Sequence, residues 1–100
     1  MILVRNVFRL QFGRARDATA LFREGRELMQ KTGFGTGSAR LLTDLVAPFY
    51  TLVLEMTFES LAEYEQKARE MMGREEWKSW YAKVPPLARD GYREIFTIVE

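Results

Sequence analysis

Phe49-Tyr50-Thr51-Leu52-Val53-Leu54-Glu55-Met56-Thr57-Phe58, running straight into Glu59-Ser60-Leu61-Ala62-Glu63, decides how the rest of the chain is read. Tyr50, Leu52, Leu54, Met56 and Phe58 recur at every second position, the period of a β-strand with one wholly apolar face. Ser60 with Glu63 three residues on is a capping box that opens a helix. From there the period lengthens, and Leu61, Tyr64, Ala68 and Met71 form one helical stripe.

Toward the N-terminus, Pro48 breaks the apolar run, so Ala39–Val46 is a separate strand joined by a hairpin at Leu45-Val46-Ala47-Pro48. Gly33-Phe34-Gly35-Thr36-Gly37-Ser38 before it is a loop. Arg14 to Thr32 is helical, with Ala18, Leu21, Phe22, Gly25, Leu28 and Met29 on one side and Arg16, Arg23, Glu27, Gln30 and Lys31 on the other. Residues 2–12 alternate as a strand, with Val4, Phe8, Leu10 and Phe12 inward, and Gly13 ends it. Toward the C-terminus Gly73 interrupts the helix. A second segment then carries Trp77, Trp80, Tyr81 and Val84 at helical spacing, until Pro85-Pro86 stops it. Arg89-Asp90-Gly91 turns the chain into a last strand, Tyr92–Val99. The order strand, helix, strand, strand, helix, strand with right-handed crossovers predicts a ferredoxin-like α+β fold. Its antiparallel sheet has four strands and carries the helices on one face, in a single domain over residues 1–100.

The composition narrows the chemistry. With no cysteine there is no disulfide or thiolate nucleophile, and with no histidine the commonest metal ligand and proton shuttle is missing. Lys+Arg 15 against Asp+Glu 14 leaves +1, too little to draw in nucleic acid or an anionic membrane. Neither partner is expected. The start Met1-Ile2-Leu3-Val4-Arg5-Asn6 lacks a basic segment ahead of its apolar run, and Arg5 and Arg9 interrupt that run. A cytoplasmic protein is expected. Asn6 is the only asparagine in an Arg-rich chain, a composition that suits a heat-adapted source.

The second face of the sheet asks for a cover. Leu3, Arg5, Val7, Arg9 and Gln11 on the first strand, Phe49, Thr51, Val53, Glu55 and Thr57 on the third, and Arg93, Ile95, Thr97 and Val99 on the last are read as lying there. Such a face measures roughly 600 Å², and leaving its larger apolar side chains wet forfeits about 1.5–3 kcal/mol apiece. A second copy of the same sheet is the simplest cover, so a homodimer is expected.

Two clusters are candidate ligand sites. Arg5, Arg9, Glu55 and Arg93 place three guanidiniums around one carboxylate, suited to a carboxylate or phosphate ligand; the plainer alternative is a satisfied Arg–Glu network. Trp77, Trp80 and Tyr81, with Tyr64, line an aromatic pocket between helix and sheet or else simply pack the core. Asn6 lies on the helix-facing parity of the first strand, bonded to backbone or to a ligand. The Gly33–Ser38 stretch follows a helix and enters a strand, the reverse of a phosphate loop. Glu75-Glu76 and Asp44 can ligate a hard cation but read more simply as solvated acids, and no metal is expected. An RNA-recognition surface needs aromatics on strands one and three, where only Phe49 is offered.

Phe8-Arg9-Leu10-Gln11-Phe12-Gly13 before a helix, the Phe49–Phe58 strand leading into Glu59-Ser60-Leu61, and Glu76-Trp77-Lys78-Ser79-Trp80-Tyr81 before Tyr92-Arg93-Glu94-Ile95-Phe96 together resemble the dimeric α/β-barrel superfamily. The likeness is to its NIPSNAP-like and antibiotic-biosynthesis-monooxygenase-like members. It spans nearly the whole chain and consists of patterning and order. The resemblance implies two sheets paired face to face, with a cavity between each sheet and its own helices or within the barrel; with the two clusters above, a small organic ligand, anionic or aromatic, is expected. Cofactor-free monooxygenases of this kind use Trp, Tyr and Asn in such a cavity, where the substrate supplies the electrons; here that implies Trp77, Tyr81 and Asn6. Haem-binding members use histidine, which this chain lacks, so no cofactor is expected. A dimer module without a ligand is the remaining alternative.

Overall fold

A computed structural model describes residues 1–35 and 39–100. The elements run β1 (Ile2–Leu10), α1 (Ala15–Thr32), β2 (Arg40–Thr43), β3 (Thr51–Phe58), α2 (Leu61–Met72), α3 (Glu75–Tyr81) and β4 (Ala88–Thr97). The four strands form one sheet in the order β2-β3-β1-β4, with every neighbouring pair antiparallel. This is the ferredoxin-like arrangement read from the sequence. Of the Gly33–Ser38 connection, residues 36–38 lie outside the described residues.

Local chemistry sets the element ends. Ser60 Oγ accepts from the Glu63 amide at 3.1 Å, and the Glu63 carboxylate reaches back to the Glu59 amide at 2.7 Å, one residue before the cap. At the far end of α1, Gly33 takes a left-handed φ of 74°, which lets its own amide and that of Phe34 donate to Gln30 and Met29. The first three strands are shorter than the runs expected for them, whereas the last begins at Ala88 and takes in Arg89-Asp90-Gly91, expected as a turn. Alternation in Phe49–Phe58 begins as a strand only at Thr51, because Tyr50 turns with φ 61°. Phe12 lies beyond β1 and is 70% exposed, where it meets the edge of the Tyr50 ring instead of the core.

Two apolar clusters fill the space between sheet and helices. One joins Val4, Met29, Leu54, Met56, Phe58, Tyr64 and Met71; the other joins Leu10, Ala18, Leu21, Phe22, Leu52, Trp80, Val84 and Leu87. Trp80 keys α3 into α1, with its Nε1 donating to the Leu21 carbonyl at 2.7 Å. The α1 stripe is buried as its spacing requires except at Leu28, which is partly buried, whereas Leu61 at the start of α2 stays half exposed.

The β4 register corrects one sequence expectation. Cα partners are Arg5↔Glu94, Asn6↔Arg93 and Val4↔Ile95. Partners opposite each other share a face, so Tyr92, Glu94 and Phe96 lie on the open face while Arg93 and Ile95 lie beneath the helices. Both parities of Tyr92-Arg93-Glu94-Ile95-Phe96 mix charge with apolar surface, so alternation alone did not distinguish them. The register is set instead at an irregularity between Arg9 and Leu10, where the partner jumps from Asp90 to Ala88.

Candidate functional site

The helix side of the sheet holds a cavity of about 710 Å³ lined by residues from β1, α1, β3, α2, α3 and β4, a size suited to a small organic ligand. One wall is a run of touching rings. Phe8 and Phe22 lie 4.8 Å apart between centroids, Phe22 and Trp80 5.2 Å, Trp80 and Trp77 5.0 Å, and Trp77 and Tyr81 6.0 Å, the last pair stacked. Such spacing is favourable aromatic packing. A second group, Phe34, Phe58 and Tyr64, touches at 5.2 and 5.1 Å. Met29, Met56 and Met71 add polarizable, adaptable surface between them.

Asn6 and Arg93 form a bonded polar pair in this lining, to which Glu65, Arg69 and Asp90 add further charged side chains. Arg93 Nε donates to Asn6 Oδ1 at 2.6 Å, and the guanidinium carbon stands 5.8 Å from the centroid of the Tyr64 ring. The bond fixes the side chain and the ring face attracts its charge. Because β4 is the edge strand and Arg93 is exposed, the guanidinium stands at the open side of the cavity. Its remaining N–H groups suit a carboxylate, phenolate or carbonyl oxygen.

Arg5, Arg9 and Glu55 are elsewhere. They lie on the open face, where one row crosses all four strands: Arg40 on β2, Glu55 on β3, Arg5 on β1 and Glu94 on β4. Arg40 donates to Glu55 at 2.6 Å, Arg5 Nε donates to the other Glu55 oxygen at 2.8 Å, and Arg5 reaches Glu94 at 2.6 Å. Glu55 is 8% exposed. Burial acts to raise its pKa, but the hydrogen bonds and charges of Arg40 and Arg5 outweigh that and hold it below the usual carboxylate value. The Glu55 hydrogen bond raises Arg5 against the opposing effect of burial, with the Glu94 charge adding to the rise. Two acids and two bases balance, so this row is a satisfied network rather than a basic pocket. Arg9 stands opposite Asp90, one row from Val7 and Tyr92.

Thus the structure brings together Asn6, Arg93, Trp77 and Tyr81, and separates them from Arg5, Arg9 and Glu55 by the thickness of the sheet. Sequence reasoning missed Glu94 and Arg40 as members of the network. Their signal was present only in strand pairing, which a single strand's alternation does not carry. The acids considered for a cation are otherwise engaged: Asp44 accepts from the Thr51 amide at 3.0 Å, and Glu75 and Glu76 pair with Lys78 and Lys31. Among the described residues no cluster of three or more metal-ligating side chains occurs. No helix among them is long and apolar enough to cross a membrane. Phe49 lies in the β2–β3 loop rather than on a strand.

Sheet order and helix placement define a ferredoxin-like α+β fold. Neither a protein-family model nor a curated protein matches the chain. Among solved structures it is similar to a NIPSNAP family protein of unknown function from Agrobacterium tumefaciens, with 19% identity, 96% of this chain and 86% of that chain covered, and a TM-score of 0.85. An uncharacterized NIPSNAP domain protein from Burkholderia xenovorans aligns with 12% identity, 99% and 95% coverage and a TM-score of 0.83. An antibiotic biosynthesis monooxygenase aligns over 100% of both chains with 16% identity and a TM-score of 0.77. At such identities the shared property is the fold.

Proposed function

We propose that this protein is a homodimer whose cavities each bind a small, flat organic molecule with aromatic surface and one anionic or carbonyl oxygen. The observation that carries the ligand reading is the Asn6-held Arg93 guanidinium at the open side of a cavity rich in aromatic and thioether side chains. Rings supply area for stacking, and the guanidinium selects an oxygen at one end. Support for pairing comes from the open face, where Leu42, Tyr92 and Phe96 are exposed beside the charged row, while Val53 and Val7 between Leu42 and Tyr92 are already buried within the chain.

The test is native mass spectrometry of the gently purified protein, followed by calorimetric titration with 2-naphthoate as a flat aromatic carboxylate. Dimer mass with saturable binding, weakened in an Arg93→Gln variant, is the expected result. Binding indifferent to Arg93 overturns the site; a monomer at micromolar concentration overturns the dimer.

A cofactor-independent oxygenase is the second reading, favoured by the presence of Asn6, Trp77 and Tyr81 in the same cavity. In that reaction an activated ring CH2 of the substrate meets O2, one oxygen atom becomes the product carbonyl, and the other leaves as water with both hydrogens. Oxygen uptake with an enolisable polycyclic ketone, without added flavin or metal, distinguishes it from simple binding.

A further inference from the structure

We propose that the Arg40–Glu55–Arg5–Glu94 row selects how two copies of this chain pair, setting β2 of each over β4 of the other about a two-fold axis parallel to the strands. This rests on the homodimer proposed above and goes beyond it by naming the residues that choose the geometry.

From one edge of the sheet to the other the row reads positive, negative, positive, negative. Four alternating charges are antisymmetric about their midpoint, which falls between β3 and β1. Two copies stacked face to face have two limiting choices of axis. An axis parallel to the strands and passing through that midpoint reverses left and right. Arg40 then stands over the partner's Glu94 and Glu55 over the partner's Arg5, so opposite charges meet at every position. An axis running across the strands, along the row, keeps the order. Arg40 then stands over the partner's Arg40 and Glu55 over the partner's Glu55, so like charges meet at every position.

The parallel axis also leaves position along the strands unchanged. Row therefore meets row without any slide, and the neighbouring apolar row meets itself reversed, with Leu42 over the partner's Tyr92 and Val53 over the partner's Val7. Facing sheets lie about 10 Å apart and aligned within about 30°, a gap that two facing charged side chains span. Each charge already has a partner in its own sheet, so pairing buries a satisfied network. The wrong axis brings like charges together in a partly desolvated gap, and charge complementarity of this sort acts chiefly as specificity.

The test swaps the whole row: Arg40→Glu, Glu55→Arg, Arg5→Glu and Glu94→Arg in one chain. The swapped chain keeps its alternation and its fit to itself. Mixed with isotope-labelled wild-type protein, it faces like with like under the parallel axis and opposite with opposite under the other. After subunit exchange, native mass spectrometry is expected to show mixed dimers at least about fivefold below their statistical share. A statistical or enriched share of mixed dimers overturns the proposal. A second arm does not require the swapped chain to fold, and the chain has no cysteine to interfere. A short bismaleimide is expected to join Leu42→Cys protein to Tyr92→Cys protein in a mixture, but not Leu42→Cys protein to itself. Self-joining of Leu42→Cys overturns the axis. A wild-type monomer overturns the dimer and the role of the row together, whereas a wild-type dimer with the wrong mixing preference overturns the row alone.

Discussion

Gly25 makes the seat of Trp80: a Cβ built on this glycine would lie 2.6 Å from Cε2 of the indole and closer still to Cζ2. The contact admits the ring to the α1 backbone, where Nε1 donates to the Leu21 carbonyl one turn earlier. An alanine in an open helical position stabilises by about 1 kcal/mol over glycine, while overpacking costs about 1–3 kcal/mol. Packing decides the sign here. Gly25→Ala is expected to lose up to about 2 kcal/mol in denaturant unfolding. In a Trp80→Phe background the same change is expected to cost less, and equal costs in the two backgrounds would show that the ring is not what the methyl meets.

Glu55→Gln removes the one negative charge shared by Arg40 and Arg5. Hydrogen bonds to charged groups contribute about 1.5–3 kcal/mol each at best, and the exposure of Arg40 screens its share. A loss of about 1–3 kcal/mol at neutral pH is expected. The folded-state pKa of Glu55 lies below its ordinary value of 4.5, so its stabilisation is present above that value and is lost as pH falls through the lower, folded one. Wild type and Glu55→Gln should therefore differ by a constant amount from neutral pH down to about 5 and converge in more acid solution. A gap that widened with acid would contradict the sign.

Much of this molecule was legible in its sequence, and the limits were physical. The Tyr50–Phe58 alternation and the Ser60 cap define their elements because burial and capping act locally. Asn6 was placed beneath the helices because β1 is a central strand, one of whose parities is apolar except at Asn6 itself. Arg93 was misplaced because β4 is an edge strand with charge on both parities, so pairing with β1 rather than patterning sets its face. The same limitation hid Glu94 and Arg40. A row of charges perpendicular to the chain direction leaves no trace along it.

Arg93→Gln tests the polar end of the cavity. Loss of a charged hydrogen-bonding group is expected to weaken 2-naphthoate by roughly 10- to 100-fold while lowering unfolding stability by only about 1 kcal/mol, through the Asn6 bond and the Tyr64 contact. Trp77 and Trp80 both line the cavity, so quenching of tryptophan fluorescence reports the titration. Unchanged affinity together with unchanged quenching would remove Arg93 from the site.

Gly91 stands opposite Phe8, where a Cβ would lie 2.7 Å from the Val7 carbonyl oxygen. Gly91→Ala is expected to push β4 off β1, lowering stability by about 1–3 kcal/mol and loosening the nearby Arg93–Asn6 bond. Amide exchange on β4 measures it directly. Protection equal to wild type would show that the strands accommodate the methyl.

The Arg9–Leu10 irregularity that sets the β4 register also constrains what lengths the 82–91 segment can take. An insertion of one residue before Tyr92, with the pairing slots kept, would bring Arg93 opposite Arg5 and turn Glu94 beneath the helices opposite Val4. The cavity would hold Tyr92 where Arg93 now stands, and the charged row would lose its alternation, in a single genetic event. A length change of one residue here is either taken up as a change in the bulge or turns every later residue of β4 to the other face.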